Sequence, residues 1–485
     1  MSTLKEKAVN GVIWSVAERF GNQGIQFIIG LILARLLMPE DYGLIGMLLV
    51  FISIAQVFVE GGFSAALIRK SEPTNRDYST VFWFNLVVAF VFYVIIFLCS
   101  PLISEFYQEP LLAPLAKVVA LNIIISAFGI IQKTILTKQL DFKSQAKVNL
   151  SSIIISGVIG VVCAWQGLGV WALVVQNLSK NILMNIGFWI LSSWRPMPIF
   201  SERSFKELFG FGSKLLASAL INAVSENLYA IIIGKLYNAK SLGFYTRANQ
   251  FQKLPVSSIY GAIGAVTYPV LAKLQHNNDQ LKEGYRSMFR IVAFTLFPVM
   301  TILGVVAEPL IRVVLTEKWL PCVTLLQILC IEGAFYPLQA INLDLLKVKG
   351  RSDLFLKLEV IKQFFTVLTI VVFFRWGVYG LVWGLIALSI VCYYINTFYS
   401  KRLLDYGIID QIKDLLVFIF MNGLMLLFLL GLKYIITNNM FQLIILPPVG
   451  VLFYAVLSNL FKVKELVTLR EIFMKLVSKK RVTAL

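Results

Sequence analysis

The sequence predicts an all-α polytopic membrane protein of about fourteen transmembrane helices. It expects two parallel six-helix lobes, two further C-terminal helices, and both termini in the cytoplasm. Three observations lead there. The 485 residues are 58% hydrophobic and only 14% charged, with a mean hydropathy of +0.79; a soluble domain is about 25% charged. At about 20 residues per span, that apolar content fills about fourteen helices. The cations, finally, sort to alternate ends of successive apolar stretches, as the positive-inside rule requires.

The elements follow in order. The first stretch, 11–36, comes after Lys5 and Lys7, carries Glu18 and Arg19, and shows no clear cleavage site. It is expected to be a retained span, not a signal peptide. Stretches 42–67, 80–103, 112–134, 148–165 and 168–192 complete a first lobe, 1–200. Stretches 209–234, 249–273, 289–314, 322–346, 355–375 and 377–399 make a second lobe, 201–405. Stretches 412–433 and 441–461 are the appended pair, 406–461. Their length calls for helices, because outer-membrane strands are alternating segments of about ten residues. The tail 462–485 spaces Leu466, Leu469, Ile472, Phe473, Leu476 and Val477 helically among Lys and Arg. It reads as a basic amphipathic helix on the anionic inner leaflet.

The net charge of +18 is largely topology. About 31 of the 44 Lys and Arg fall on one set of ends, from Lys5 through Arg69, Lys138, Arg195, Arg286, Arg351 and Arg402 to the tail. The opposite ends, such as 37–41, 104–110 and 165–169, are poor in cations.

The chain also repeats itself. GLILARLLMPEDYG at 30–43 matches AIIIGKLYNAKSLG at 230–243. Ala127-Phe128 with Gln132 recurs as Ala334-Phe335 with Gln339, and GLGVWAL at 167–173 recurs as YGLVWGL at 379–385. A repeat of six spans returns the chain to the same side, so the halves are parallel.

Several chemistries are excluded. The one histidine, His276, lies in a polar stretch, and Cys99, Cys163, Cys322, Cys330 and Cys392 form no CxxC motif. No catalytic residue, metal site or cofactor is expected. There is no phosphate-binding lysine motif for ATP, and no membrane-free basic face for nucleic acid.

Polar groups inside spans are costly and mark cavities or partners. Glu18, Asn22 and Gln26 follow i, i+4 spacing beside Arg19. Asn177, Lys180, Asn181 and Asn185 form a second stripe. Gln56 and Glu60 sit in the second span, Lys117 and Asn122 in the fourth, Asn222 and Glu226 in the seventh, and Lys253 opens the eighth. The expectation is one net-cationic cavity. Arg19, Lys180, Lys117 and Lys253 would attract an anionic head group. Asn22, Gln26, Gln56, Asn177, Asn181, Asn222 and Tyr229 would form its polar lining, the amides offering hydrogen bonds to hydroxyls. Glu18, Glu60 or Glu226 would balance charge or carry a coupling H+ or Na+. Glu308 with Arg312, and Glu359 with Lys362, read instead as structural ion pairs.

The motifs ARLLMPEDYGLIGM (34–47), GGFSAALIRK (61–70), VFWFNL (81–86), GLGVWALVVQNL (167–178), SWRPMPIFS (193–201) and LGFYTRANQFQKLP (242–255) run in order along the chain. Together they resemble the Wzx-type polysaccharide flippases, in the colanic-acid exporter branch of the multidrug/oligosaccharidyl-lipid/polysaccharide (MOP) exporter superfamily. MATE transporters and the lipid II flippase belong to the same superfamily. The resemblance implies two rocking lobes and a transporter without covalent chemistry, in the bacterial inner membrane. The implied cargo is an undecaprenyl-pyrophosphate-linked oligosaccharide. Membrane lipids and a polysaccharide polymerase or assembly machinery are the implied partners. Members often carry an acidic residue after an Asn in span seven; here Tyr229 stands at that place, with Glu226 one turn earlier. The alternatives are a MATE-like antiporter of organic cations and a membrane-embedded polymerase or ligase of lipid-linked sugars. The short outer loops argue against the last.

Overall fold

A chain this apolar must satisfy its backbone hydrogen bonds within each segment. In the computed structural model, which describes residues 4–467, every long regular element is accordingly an α-helix. The order begins α1 (Leu4–Leu36), α2 (Pro39–Glu60), α3 (Phe63–Arg69), α4 (Asn75–Tyr107), α5 (Leu112–Val119) and α6 (Leu121–Lys138). It continues α7 (Phe142–Trp165), α8 (Val170–Leu191), α9 (Glu202–Leu236) and α10 (Ala239–Lys273). Then come α11 (Asn278–Val305), α12 (Ala307–Leu310), α13 (Pro321–Val348), α14 (Ser352–Phe373), α15 (Gly377–Leu404), α16 (Ile408–Ile435) and α17 (Asn439–Leu460).

All but α3, α5 and α12 reach 18 residues, and each of these long helices overlaps one expected stretch. Eleven stretches among the described residues are long and apolar enough to cross a membrane, one of them, Asp353–Leu404, holding both α14 and α15. The chain is thus a multi-pass membrane protein. Helices α1 and α8 fall outside the eleven; they are the ones bearing the polar stripes. Most of the tail expected to be amphipathic, 468–485, lies outside the described residues.

Three stretches are interrupted. The second does not run on to 67: Gly61 and Gly62 adopt φ of +51° and +71°, which ends α2 and starts α3. The fourth is divided at Ala120 into α5 and α6. The ninth stops at Val305, and the residues beyond fold into α12, a wider π-helical turn at Ile311–Leu315 and, past Thr316 at φ +92°, a 3-10 turn at Glu317–Trp319.

The chain folds as two compact units, one ending at Thr246 and the other beginning at Arg247. In the first, α9 joins α2, α3 and α4. The 192–201 linker that delivers α9 is fastened to α4. Trp83 Nε1 donates to the Met197 carbonyl at 2.8 Å, the Met197 N–H to Ser79 Oγ at 3.0 Å, and the Ser201 N–H to Thr80 Oγ1 at 3.0 Å. Two of the sequence motifs are therefore the two sides of one joint. Around it pack Phe63, Tyr78, Phe82 and Leu208, all buried.

The start of α10 also belongs to this unit, and there the 200-residue repeat shows its purpose. A Cβ on Gly43 would lie 1.7 Å from the Ala239 carbonyl oxygen, and one on Gly243 would lie 1.9 Å from that of Pro39. Each repeat glycine touches backbone at the other repeat's helix start. No side chain fits at either place.

In the second unit α11, α13, α15, α16 and α17 pack around buried Tyr285, Phe289, Phe418 and Leu346. At one end, Asp414 accepts from Arg286 at 2.6 Å, from Arg290 at 3.0 Å and from Tyr406 at 2.6 Å. Asn342 and Gln411 exchange hydrogen bonds beside Tyr285 and Tyr393. The two expected structural ion pairs are present: Arg312 with Glu308 and Lys362 with Glu359, each at 3.1 Å.

Candidate functional site

The first unit contains a polar cleft among apolar helices, built from faces that the helical period aligns. From α2 come Ser53, Gln56 and Glu60; from α8, Asn177, Lys180 and Asn181; from α9, Asn222, Glu226 and Asn227; and from α6, Asn122. It consists of two adjoining cavities of about 490 and 370 Å3 that share Ser53, Gln56, Glu226 and Asn227. Apolar walls come from Ile45, Leu49, Ile52, Val119 and Val174.

The amides are oriented by their own helices. Asn177 donates to the Leu173 carbonyl at 3.1 Å, Asn227 to Ala223 at 2.7 Å and Asn185 to Asn181 at 2.8 Å. This back-bonding satisfies the N–H and leaves amide oxygen as acceptor. Asn181 Nδ2 donates to Asn122 Oδ1 at 2.6 Å, and Asn227 Nδ2 to Ser53 Oγ at 3.1 Å, tying the cleft walls together. Lys180, Glu226, Glu60 and Gln56 form no ion pair or hydrogen bond among the described residues. Ionisable groups left open in this way face water or cargo.

Seven expected site residues thus share one cleft: Gln56, Glu60, Asn177, Lys180, Asn181, Asn222 and Glu226. The others stand elsewhere. On α1, Glu18 accepts from Asn149 of α7, while Gly21 lies against Leu150. A carboxylate at this close helix pair takes the nearest donor, so that end of the α1 stripe meets a neighbouring helix. Asn22 is partly buried, and Arg19 and Gln26 are exposed; none of the three lines the cleft. Lys117, near the end of α5, lays its ammonium 4.8 Å from the Phe97 ring centroid, a cation–π contact that an end-of-helix lysine readily makes. Lys253 belongs to the second unit. Tyr229 is buried outside the cleft lining.

Of the four expected cations, Lys180 alone lines this cleft of the first unit. This cleft holds one lysine and two glutamates, because only α8 brings a cation to its inner face. Asn122, singled out in its span but given no particular role, completes it with Ser53 and Asn227, which the sequence reading passed over. Ser53 precedes Gln56 by three residues and Asn227 follows Glu226, so both continue stripes already visible.

With the geometry described, the chain can be compared with known proteins. The family described as "Polysaccharide biosynthesis protein" matches residues 32–324. The chain belongs to that family. Teichuronic acid biosynthesis protein TuaB of Bacillus subtilis (strain 168) is 32% identical over 302 residues, covering 62% of each chain. This chain thus spans less than two thirds of that relative's length. Lipopolysaccharide biosynthesis protein WzxC of Escherichia coli (strain K12) is 26% identical over 76% of each. Among solved structures, the lipid II flippase MurJ in an inward closed conformation superposes with a TM-score of 0.74 at 17% identity, covering 93% of this chain and 98% of that one. The polysaccharide biosynthesis family and the MurJ-like fold agree with the resemblance read from the motifs.

Proposed function

We propose that the chain is a flippase that carries an undecaprenyl-pyrophosphate-linked oligosaccharide across the bacterial inner membrane by alternating access. The carrying observation is the cleft: amide oxygens, one ammonium and two carboxylates stand open inside a membrane-spanning bundle, a lining suited to hydroxyl-rich cargo that cannot cross lipid. Family membership and the relatives' polysaccharide pathways support the same reading. It includes fourteen crossings, both termini in the cytoplasm, coupling to H+ or Na+, and handover to a polysaccharide polymerase or assembly machinery. Asn177, Asn181, Asn222 and Gln56 bind sugar hydroxyls, and Lys180 binds one acidic group of the cargo.

The test is complementation. In a strain lacking its own exporter of this class, the wild-type chain restores surface polysaccharide, and Lys180→Gln combined with Asn181→Ala lowers it at equal protein level. Undiminished export by that double variant overturns the site assignment. No restoration by the wild type, with lipid-linked intermediates still in the inner leaflet, overturns the function.

One observation favours a second reading. Two open carboxylates, Glu60 and Glu226, against a single lysine would also suit a small organic cation, as in a MATE-like antiporter. Resistance to cationic drugs conferred by the wild type and lost in Glu226→Gln would establish that alternative.

A further inference from the structure

The second unit holds a carboxylate that the cleft does not use. Glu332 is the twelfth residue of the 28-residue helix α13, close to the centre of a span. Gln252 of α10, itself only 2% exposed, donates its side-chain N–H to Glu332 Oε2 at 3.2 Å. The next residue makes this possible. A Cβ on Gly333 would lie 2.2 Å from Gln252 Nε2 and 3.0 Å from Met300 Sδ, so a larger residue would evict the glutamine. The Ser389 hydroxyl of α15 also faces the carboxylate. A mid-span carboxylate with a dedicated, glycine-accommodated partner is costly to keep for packing alone.

We infer that Glu332 is a proton-binding site, carrying one proton per cycle as carboxylate in one state and carboxylic acid in the other. The surroundings favour a proton over a metal cation. A hard cation takes about six or more oxygen ligands, whereas the neighbours here are an amide N–H, one hydroxyl and the Lys253 ammonium, a like charge to any metal ion. Of the other helices packed on α13, α11 presents Met300, which does not titrate. Helix α15 adds Cys392 one turn beyond Ser389, and beyond it α14 holds the Glu359–Lys362 pair. Lys253 is therefore the charged group that reads the state of Glu332. Ionised, Glu332 attracts Lys253 and holds Gln252; protonated, it gives up the attraction. Pro255 lies two residues after Lys253 inside α10 and breaks the helical hydrogen-bond ladder there, leaving that segment of α10 able to respond.

The proton site rests on the Gln252 contact and the Gly333 packing beside Glu332; its use in transport rests on the flippase reading, and the experiment separates the two. Infrared pH-difference spectra of the purified full-length chain in lipid should show a titrating carboxylic-acid C=O band. Glu332→Gln should remove it, while Glu60→Gln and Glu226→Gln keep it. Replacing Na+ with choline should leave it unmoved. A band that survives in Glu332→Gln, or one that moves with Na+, overturns the inference. In proteoliposomes carrying undecaprenyl-pyrophosphate oligosaccharide, wild-type translocation should respond to an imposed pH gradient. Glu332→Gln should translocate without that response, and Glu332→Asp should recover part of it. An unchanged gradient response in Glu332→Gln overturns the coupling role. A wild type with the band but no translocation leaves the proton site standing and removes the flippase reading instead. Gly333→Leu gives an independent check: with Glu332 intact, it should shift the band by displacing Gln252, and an unshifted band counts against the assigned partner.

Discussion

Two polar clusters, one in each unit, are treated in opposite ways. In the second, the end of α16 is saturated: Asp414 collects two guanidiniums and a tyrosine hydroxyl, and Asn342, Gln411, Tyr285 and Tyr393 close a network among themselves. In the first, Lys180, Glu226, Glu60 and Gln56 are left open around a cleft. Both sets are polar residues on helices that also carry long apolar faces. The difference is whether a partner arrives. Satisfied groups fix helices to each other, and open groups remain available to cargo.

Substitutions that break this contrast should differ in kind as well as size. The largest effect is expected at Asp414. Asp414→Leu leaves Arg286 and Tyr406 without their carboxylate, while Arg290 keeps Glu465; each lost hydrogen bond to a charged group costs about 1.5–3 kcal/mol. The protein should lose thermal stability and yield, read by melting in detergent and by membrane expression. A stable Asp414→Leu variant would dissolve the distinction drawn here. Next are Gly43→Ala and Gly243→Ala. Their methyls meet backbone carbonyls that cannot rotate away, and overpacking costs about 1–3 kcal/mol. Each should lower the melting temperature, and the pair together should add little, because one displacement relieves both contacts.

Third, Lys180→Met should leave stability unchanged or improved while export falls, the reverse of Asp414→Leu. Equal melting temperature with reduced polysaccharide would sharpen the contrast; equal melting temperature with normal polysaccharide would place Lys180 outside the transport path. Fourth, Glu308, outside the spans, should give a small acid sensitivity. Burial opposes its ionisation, but the Arg312 hydrogen bond and the Lys433 and Arg312 charges outweigh this and hold the carboxyl below its ordinary range. Its contribution is therefore full above the ordinary carboxylate value of about 4.3 and is lost as pH falls through the lowered one. Melting temperature against pH should show that loss shrink in Glu308→Gln. Smallest of all, Lys206→Ala breaks a pair whose side chains are 74% and 75% exposed, and melting should not move measurably.

Much of the site was legible because helical spacing is. Asn177, Lys180 and Asn181 had to share a face of α8, and Asn222 and Glu226 a face of α9. The α1 stripe had the same spacing and the opposite outcome, since Asn149 of α7 meets Glu18. No periodicity announces what a neighbouring helix will supply. Glu332 escaped notice for the converse reason: it stands alone in an apolar run, and its partner is 80 residues away.

The sequence by itself determined the long helices and their order, because apolar length and backbone satisfaction leave a membrane chain no other regular structure; the break at Gly61-Gly62, inside an expected span, came from the structure. It also determined the family, through motifs such as VFWFNL and SWRPMPIFS. Only the tertiary structure decided that these two motifs form one joint, that Gly43 and Gly243 are close crossings, and which intramembrane charges are paired. Pairing depends on distances between helices far apart in the chain, and an unpaired charge is recognised only once every possible partner has been located.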